Sequence, residues 1–322
     1  MSLKTFWFIV VAFFWTGFFV LEGFDFGVGV LHTIVGRDEA GRRTALRAIG
    51  PFWDGNEVWL IVAGAAMFAA FPDWYATLFS GLYLALLLVL VALMARGASF
   101  EFGAKVTSPR WQRTWTWATT LGSGALPLLL GIGLGGMVAG FPIDSDGEYS
   151  GGVIDMFTAY GVWTGLTLLS LSVLHGATFL ALKTDGPVRE RSRAVGLRFC
   201  LVAIAVSLGF AVWSLTVLSA VGLAAVLAAS ALLRAGREGW AFAASAGAMA
   251  ATVSSLFVDL FPNVLISSTD AAYSLTVSGA ASGPYALKVM TVAAAVFVPL
   301  VLLYQAWTYR VFRARVQHAE ET

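Results

Sequence analysis

The sequence predicts an all-α integral membrane protein with nine transmembrane helices, and three observations carry that expectation. Of its 322 residues, 58% are hydrophobic and 12% charged, more apolar than a soluble core requires. Nine stretches approach the roughly 20 apolar residues that cross a bilayer. The basic residues alternate with these stretches as membrane topology demands.

Taken in order, the expected spans are 6–31, 52–71, 74–95, 115–138, 157–182, 196–215, 217–233, 239–261 and 285–311. The first follows only Lys4 and runs past signal-peptide length without a small-residue cleavage site, so it reads as a retained span. The second begins after Pro51, a residue suited to the first helical turn. The fourth contains a glycine-rich run from Gly131 to Gly136. That run has neither the Lys-Ser/Thr of a phosphate-binding loop nor a preceding strand, so it reads as a close helix contact. Only the uncharged segment from Ser214 to Ala220 separates the sixth and seventh spans, and one long or broken helix is the competing reading. For Asp259 and Pro262, a helix end is sufficient explanation. No connection is long enough to hide a soluble domain, so 1–322 is expected to form a single polytopic membrane domain.

Charge placement orients the chain. With the N-terminus outside, 18 of the 20 basic residues fall in cytoplasmic connections, from Arg37 through Arg96, Lys105 and Lys183 to Arg315. Lys4 and Lys288 alone remain outside, beside acidic Asp144, Asp146 and Glu148. The C-terminus is then cytoplasmic. The net charge of +1 gives no sign of nucleic-acid binding.

Four carboxylates fall within these apolar stretches: Glu22 and Asp25 in the first, Asp54 and Glu57 in the second. Each costs about 2.5–3.5 kcal/mol to bury on insertion scales. Asp25 is expected roughly 10 Å from the cytoplasmic end of its helix, with Glu22 one turn deeper. Asp54 falls near the cytoplasmic surface and Glu57 one turn further in. Each pair is spaced i, i+3 and shares a helix face, and Gly23, Gly27, Gly29 and Gly55 allow close helix approach. A file of such groups can relay protons from the cytoplasm. The plainer readings are that Asp54 complements the positive end of its helix, that Glu57 partners a basic residue at the membrane edge, and that Glu22 and Asp25 are structural.

Other chemistry is sparse. Cys200 is the single cysteine, so the chain has no disulfide framework and no thiolate metal site. His32, His175 and His318 are too scattered for a metal cluster, and His175 alone lies deep enough to ligate a haem. A lone membrane histidine more often hydrogen-bonds between helices. Trp111, Trp115 and Trp117 read as interfacial anchors.

The joined pattern Glu22-Gly-Phe-Asp-Phe-Gly-Val-Gly29 and Gly50-Pro-Phe-Trp-Asp-Gly-Asn-Glu-Val-Trp-Leu60 resembles the signature of subunit II of the cytochrome bd-type quinol oxidases. The resemblance continues through Ala63 to Pro72 and Phe79 to Tyr83, and returns in Ser267 to Thr269, Ser274 to Thr276, Leu287 to Met290 and Pro299 to Tyr304. It implies a two-subunit terminal oxidase of a bacterial inner membrane that oxidises quinol, reduces dioxygen to water and builds a proton gradient. Haem d, two b-type haems and the quinol site would belong to subunit I. This chain would be a nine-span scaffold, two four-helix bundles plus one peripheral helix, contributing a cytoplasmic proton path. The family's motif aspartates map onto Asp25 and Asp54, whereas Glu22 and Glu57 stand where some members carry other residues. The short connection after the sixth span departs from members with a longer polar loop. A structural quinone and a small accessory subunit stay open.

Two other classes compete. A stand-alone proton-coupled transporter would use the carboxylates for solute exchange, but such proteins often repeat their broken helices in both halves. No matching constellation occurs between 196 and 311. A purely structural subunit would need the same partner as the oxidase reading.

Overall fold

A computed structural model of the chain describes residues 1–103, 105–106 and 108–317. His318 lies outside the described residues. Eleven α-helices dominate those described: α1 (Leu3–Val35), α2 (Glu39–Ile49), α3 (Trp53–Ala70), α4 (Pro72–Gly81), α5 (Tyr83–Phe102), α6 (Pro109–Ala139), α7 (Ala159–Lys183), α8 (Gly186–Ser214), α9 (Val217–Arg234), α10 (Glu238–Leu260) and α11 (Pro284–Val311). Eight of them, α1 and α5 to α11, are long and apolar enough to cross a membrane. The expected second span, α3, is not among the eight. It has 18 residues, and Asp54, Asn56 and Glu57 dilute its apolar character.

Two expected boundaries are corrected. The third span is broken at Leu82 into α4 and α5, where the ring of Tyr149 packs against Gly81. Helix α5 then continues to Phe102, so Arg96 is a helical residue at 0% exposure rather than part of a connection. The sixth and seventh spans are two helices. Leu215 turns the chain with a φ of 55°, and the Thr216 side chain caps α9 by accepting from Ser219 N at 3.1 Å.

Helices α1 and α7 form the centre, and α7 is the most enclosed of the eight. They touch backbone to backbone, since a Cβ on Gly27 would collide with the Ser172 carbonyl oxygen, and one on Gly176 with Gly27. The Gly131–Gly136 run works the same way between α6 and α7, where Gly131 faces Gly165 and Gly135 faces Gly161. Gly23 meets Met249 and Gly29 meets Ser123, but Gly55 has no neighbour within 4 Å, so it serves no close approach. Helix α11 lies at the edge, with Leu287 its one buried residue.

The two ends differ in construction. At the arginine-rich end, the segment expected as a bare connection forms α2. The Asp38 side chain caps it by accepting from Gly41 N at 2.6 Å, and Ala45, Ala48 and Ile49 pack into a cluster with Phe24, Val28 and Phe52. Arg315 there reaches Asp185 at 2.9 Å and Glu238 at 3.1 Å, tying the chain's tail to α8 and α10. At the opposite end, the connection from Ser267 to Ser282 is more than a polar loop. Strands Asn263–Leu265 and Leu275–Thr276 pair antiparallel, and Phe141 N donates to Ile266 O at 3.0 Å.

Candidate functional site

Helices α1, α3, α5 and α11 converge on one polar cluster near the arginine-rich end. Gly17 receives the ring of Trp59, which brings α3 against α1. On the next turns Glu22 and Asp25 are both at 0% exposure. Asn56 of α3 donates from Nδ2 to Asp25 Oδ2 at 2.7 Å and to Leu21 O at 3.0 Å. Its Oδ1 accepts from Gln305 Nε2 at 2.8 Å and from the Tyr309 hydroxyl at 3.3 Å, both on α11. The amide is thereby saturated, as a buried amide must be.

Arg96 supplies the cluster's cation. Its Nη1 lies 2.6 Å from Glu22 Oε1 and 2.5 Å from Glu57 Oε1. The guanidinium sits 5.1 Å from the ring centroids of Phe26 and Phe100, apolar surroundings that strengthen both contacts. Gly122 lets α6 close over the Arg96 stem, since a Cβ there would fall 3.2 Å from Arg96 Cβ. Two carboxylates contact this one guanidinium, and Asp25 is buried one turn from Glu22. A surplus of buried negative charge is costly unless protons neutralise it.

Glu22, Asp25 and Glu57 therefore come together, while Asp54 stands apart. It is exposed in the first turn of α3, where an acid complements the positive end of the helix. The i, i+3 spacing does bring Asp54 and Glu57 to neighbouring faces, but only Glu57 turns inward, its side chain 23% exposed. The residues that sequence reasoning missed are Arg96 as a buried partner, Asn56, Gln305 and Tyr309. Asn56 sits inside the carboxylate motif, and Gln305 is a lone amide in an apolar helix, one turn from Tyr309. Those two signals were available.

His175 is committed elsewhere. Its Nδ1 is 2.7 Å from Ser245 Oγ and its Nε2 is 3.2 Å from Val20 O, with the ring stacked on Phe242 at 4.6 Å. With both ring nitrogens engaged, this residue ties α7 to α1 and α10 and does not fit a haem ligand. His32 Nδ1 lies 2.7 Å from Gly29 O. Asp259 accepts from Ser214 Oγ at 2.6 Å, linking α10 to the end of α8.

Residues 3–312 match the family described as cytochrome bd terminal oxidase subunit II. The chain is 41% identical over 332 residues to the cytochrome bd ubiquinol oxidase subunit 2 of Bacillus subtilis (strain 168), covering 99% of this chain and 98% of that one. It is 32% identical over 353 residues to the cytochrome bd-I ubiquinol oxidase subunit 2 of Escherichia coli (strain K12), covering 95% and 93%. Its fold matches a chain of the bd oxidase from Geobacillus thermodenitrificans with a TM-score of 0.79 at 20% identity, covering 97% of this chain and 99% of that one. With the family matched along almost its whole length, this chain belongs to the cytochrome bd terminal oxidase subunit II family.

Proposed function

We propose that this chain scaffolds subunit I of a bacterial quinol oxidase and supplies it with protons from the cytoplasm. The complex oxidises quinol at subunit I and reduces dioxygen to water there. Haem d and two b-type haems are held by subunit I, which suits a chain whose deep histidine is already bonded on both sides. Protons taken from inside, against quinol protons released outside, build a gradient without a pump. Electrons do not need to enter this chain.

The single observation that carries the reading is the buried cluster of Glu22, Asp25 and Glu57 around Arg96. Asp54, exposed at the same end of α3, suits a handover toward the partner chain. Nine spans complete the reading: the eight apolar helices plus α3, with α4 and α5 counted as one. Helices α1 and α3 to α6 form one four-helix bundle, α7 to α10 the second, and α11 the peripheral helix, all within a single membrane domain. The arginine-rich end faces the cytoplasm and the N-terminus faces out. A structurally bound quinone and a small accessory subunit are compatible with this architecture.

The test is turnover of the two-subunit oxidase carrying Asp25→Asn, Asp54→Asn or Glu22→Gln. Slowed turnover with the haem spectrum intact is expected, and the deficit deepens toward alkaline pH, where protons are scarce. Normal alkaline turnover in assembled variants would remove the proton path. Loss of the haem spectrum would instead assign these residues to assembly. That purely structural reading has one observation in its favour, because the Arg96 bridge pins α1, α3 and α5 together.

A further inference from the structure

A cleft of 590 Å³ lies at the arginine-rich end between α2, α5 and α6. His32, Arg47, Thr116 and Gln112 stand around it, and its inner wall is formed by Trp53, Ser99, Phe100 and Thr119. That inner wall is also the outer shell of the carboxylate cluster. Phe100 packs on the Arg96 guanidinium, and Trp53, one turn before Glu57, meets the Phe100 ring edge-on at 5.0 Å. Phe100 thus lines the cleft and also packs on the guanidinium of the buried ion pair.

The inner wall contains a polar seam. Ser99 Oγ lies 2.7 Å from Thr119 Oγ1 and donates to Arg96 O at 2.6 Å, while Thr119 Oγ1 can donate to Trp115 O at 2.9 Å. Either hydroxyl can therefore donate in the central bond, and the link can point both ways. Beyond the seam, Arg96 Nε and Nη2, Glu22 Oε2 and Ser123 Oγ are buried and have no hydrogen-bond partner among the described residues. Ser123 Oγ packs against Gly29, one turn from Asp25. Buried polar atoms without partners of their own are what a line of water molecules satisfies.

We propose that this cleft is the chain's proton intake, and that the Ser99–Thr119 hydroxyl pair passes protons from water in the cleft to the Arg96–Glu22–Glu57 cluster. The proposal rests on the proton-supply reading above and assigns the intake to the α2–α5–α6 face rather than to exposed Asp54. In each transfer, one O–H bond forms on a hydroxyl as its own O–H breaks on the far side. The hydroxyls keep no charge, and a water beyond the seam takes the proton from a hydroxyl as it gives one of its own to a glutamate carboxylate.

The test uses the assembled oxidase, with proton uptake followed by a pH-indicator dye after a pulse of oxygen. In the Ser99→Ala/Thr119→Val double variant, uptake is expected to slow by at least about tenfold with the haem spectrum unchanged. A second arm plugs the cleft in folded protein. Thr116→Cys in a Cys200→Ser background is labelled with a bulky charged thiol reagent, and labelling should slow uptake similarly. Unchanged uptake in both arms, with Glu22→Gln still slow, would overturn the intake and leave the proton-supply reading standing. Unchanged uptake in Glu22→Gln as well would overturn both. If the double variant does not assemble, the labelled Thr116→Cys protein decides the matter alone.

Discussion

Asn56 of α3 donates to Asp25 of α1 at 2.7 Å, and the same amide accepts from Gln305 and Tyr309 of α11. One side chain thus joins three helices around a buried carboxylate. Asn56→Leu removes that donor and leaves Asp25, Gln305 and Tyr309 short of partners. The expected cost is about 1.5–3 kcal/mol, seen as a lower temperature of thermal inactivation, together with slower turnover. A variant as stable as the parent would mean that Asp25 draws its stabilisation from another group.

Arg96→Met strands Glu22 and Glu57 without a cation. Breaking a buried ion pair from one side costs about 3–5 kcal/mol, so poor assembly is expected, measured as the yield of haem-loaded complex. Arg96→Lys should recover part of that yield, because both carboxylates are contacted through a single nitrogen. Adding Glu22→Gln and Glu57→Gln to Arg96→Met should recover assembly but not turnover. If the triple variant turned over normally, the ionisable groups would have no part in proton supply.

Gly27→Ala should abolish the α1–α7 contact, since the new methyl group meets backbone rather than a side chain that could move. Overpacking of this kind costs at least about 1–3 kcal/mol. Gly55→Ala is the control. With nothing near its Cβ position, it should be neutral or stabilising by about 0.5–1 kcal/mol through better helix propensity. Equal thermal stability of the two variants would contradict the packing described for α1 and α7.

His175→Leu removes hydrogen bonds to Ser245 and Val20, at an expected cost of about 1–3 kcal/mol. Haem content per assembled complex should be unchanged. A missing haem signal in folded, assembled His175→Leu protein would show that the residue is a ligand after all.

Much of the architecture was legible from local features. Span positions follow from runs of apolar residues, and the ends of the helix bundle follow from Lys and Arg, because the cost of each residue in lipid is set by its own chemistry. The interruptions were not legible. Beside the break at Leu82, Gly81 receives the ring of Tyr149 from far along the chain, and α2 forms because its apolar face finds Phe24, Val28 and Phe52. Arg96 was misplaced for the same reason. A cation near a helix end reads as a boundary marker until two glutamates from other helices are found around it.

The chain's composition and its two acidic motifs settled that this is a multi-span membrane protein with carboxylates in its apolar segments, and which family it resembles. Folding decided which of those carboxylates come together. Asp54 and Glu57 are three residues apart on one helix, yet Glu57 meets Arg96 while Asp54 stays exposed. Helix periodicity specifies the angle between two side chains. The rotation of the whole helix about its axis comes from contacts with α1, α5 and α11, which are distant in sequence and only tertiary packing brings near.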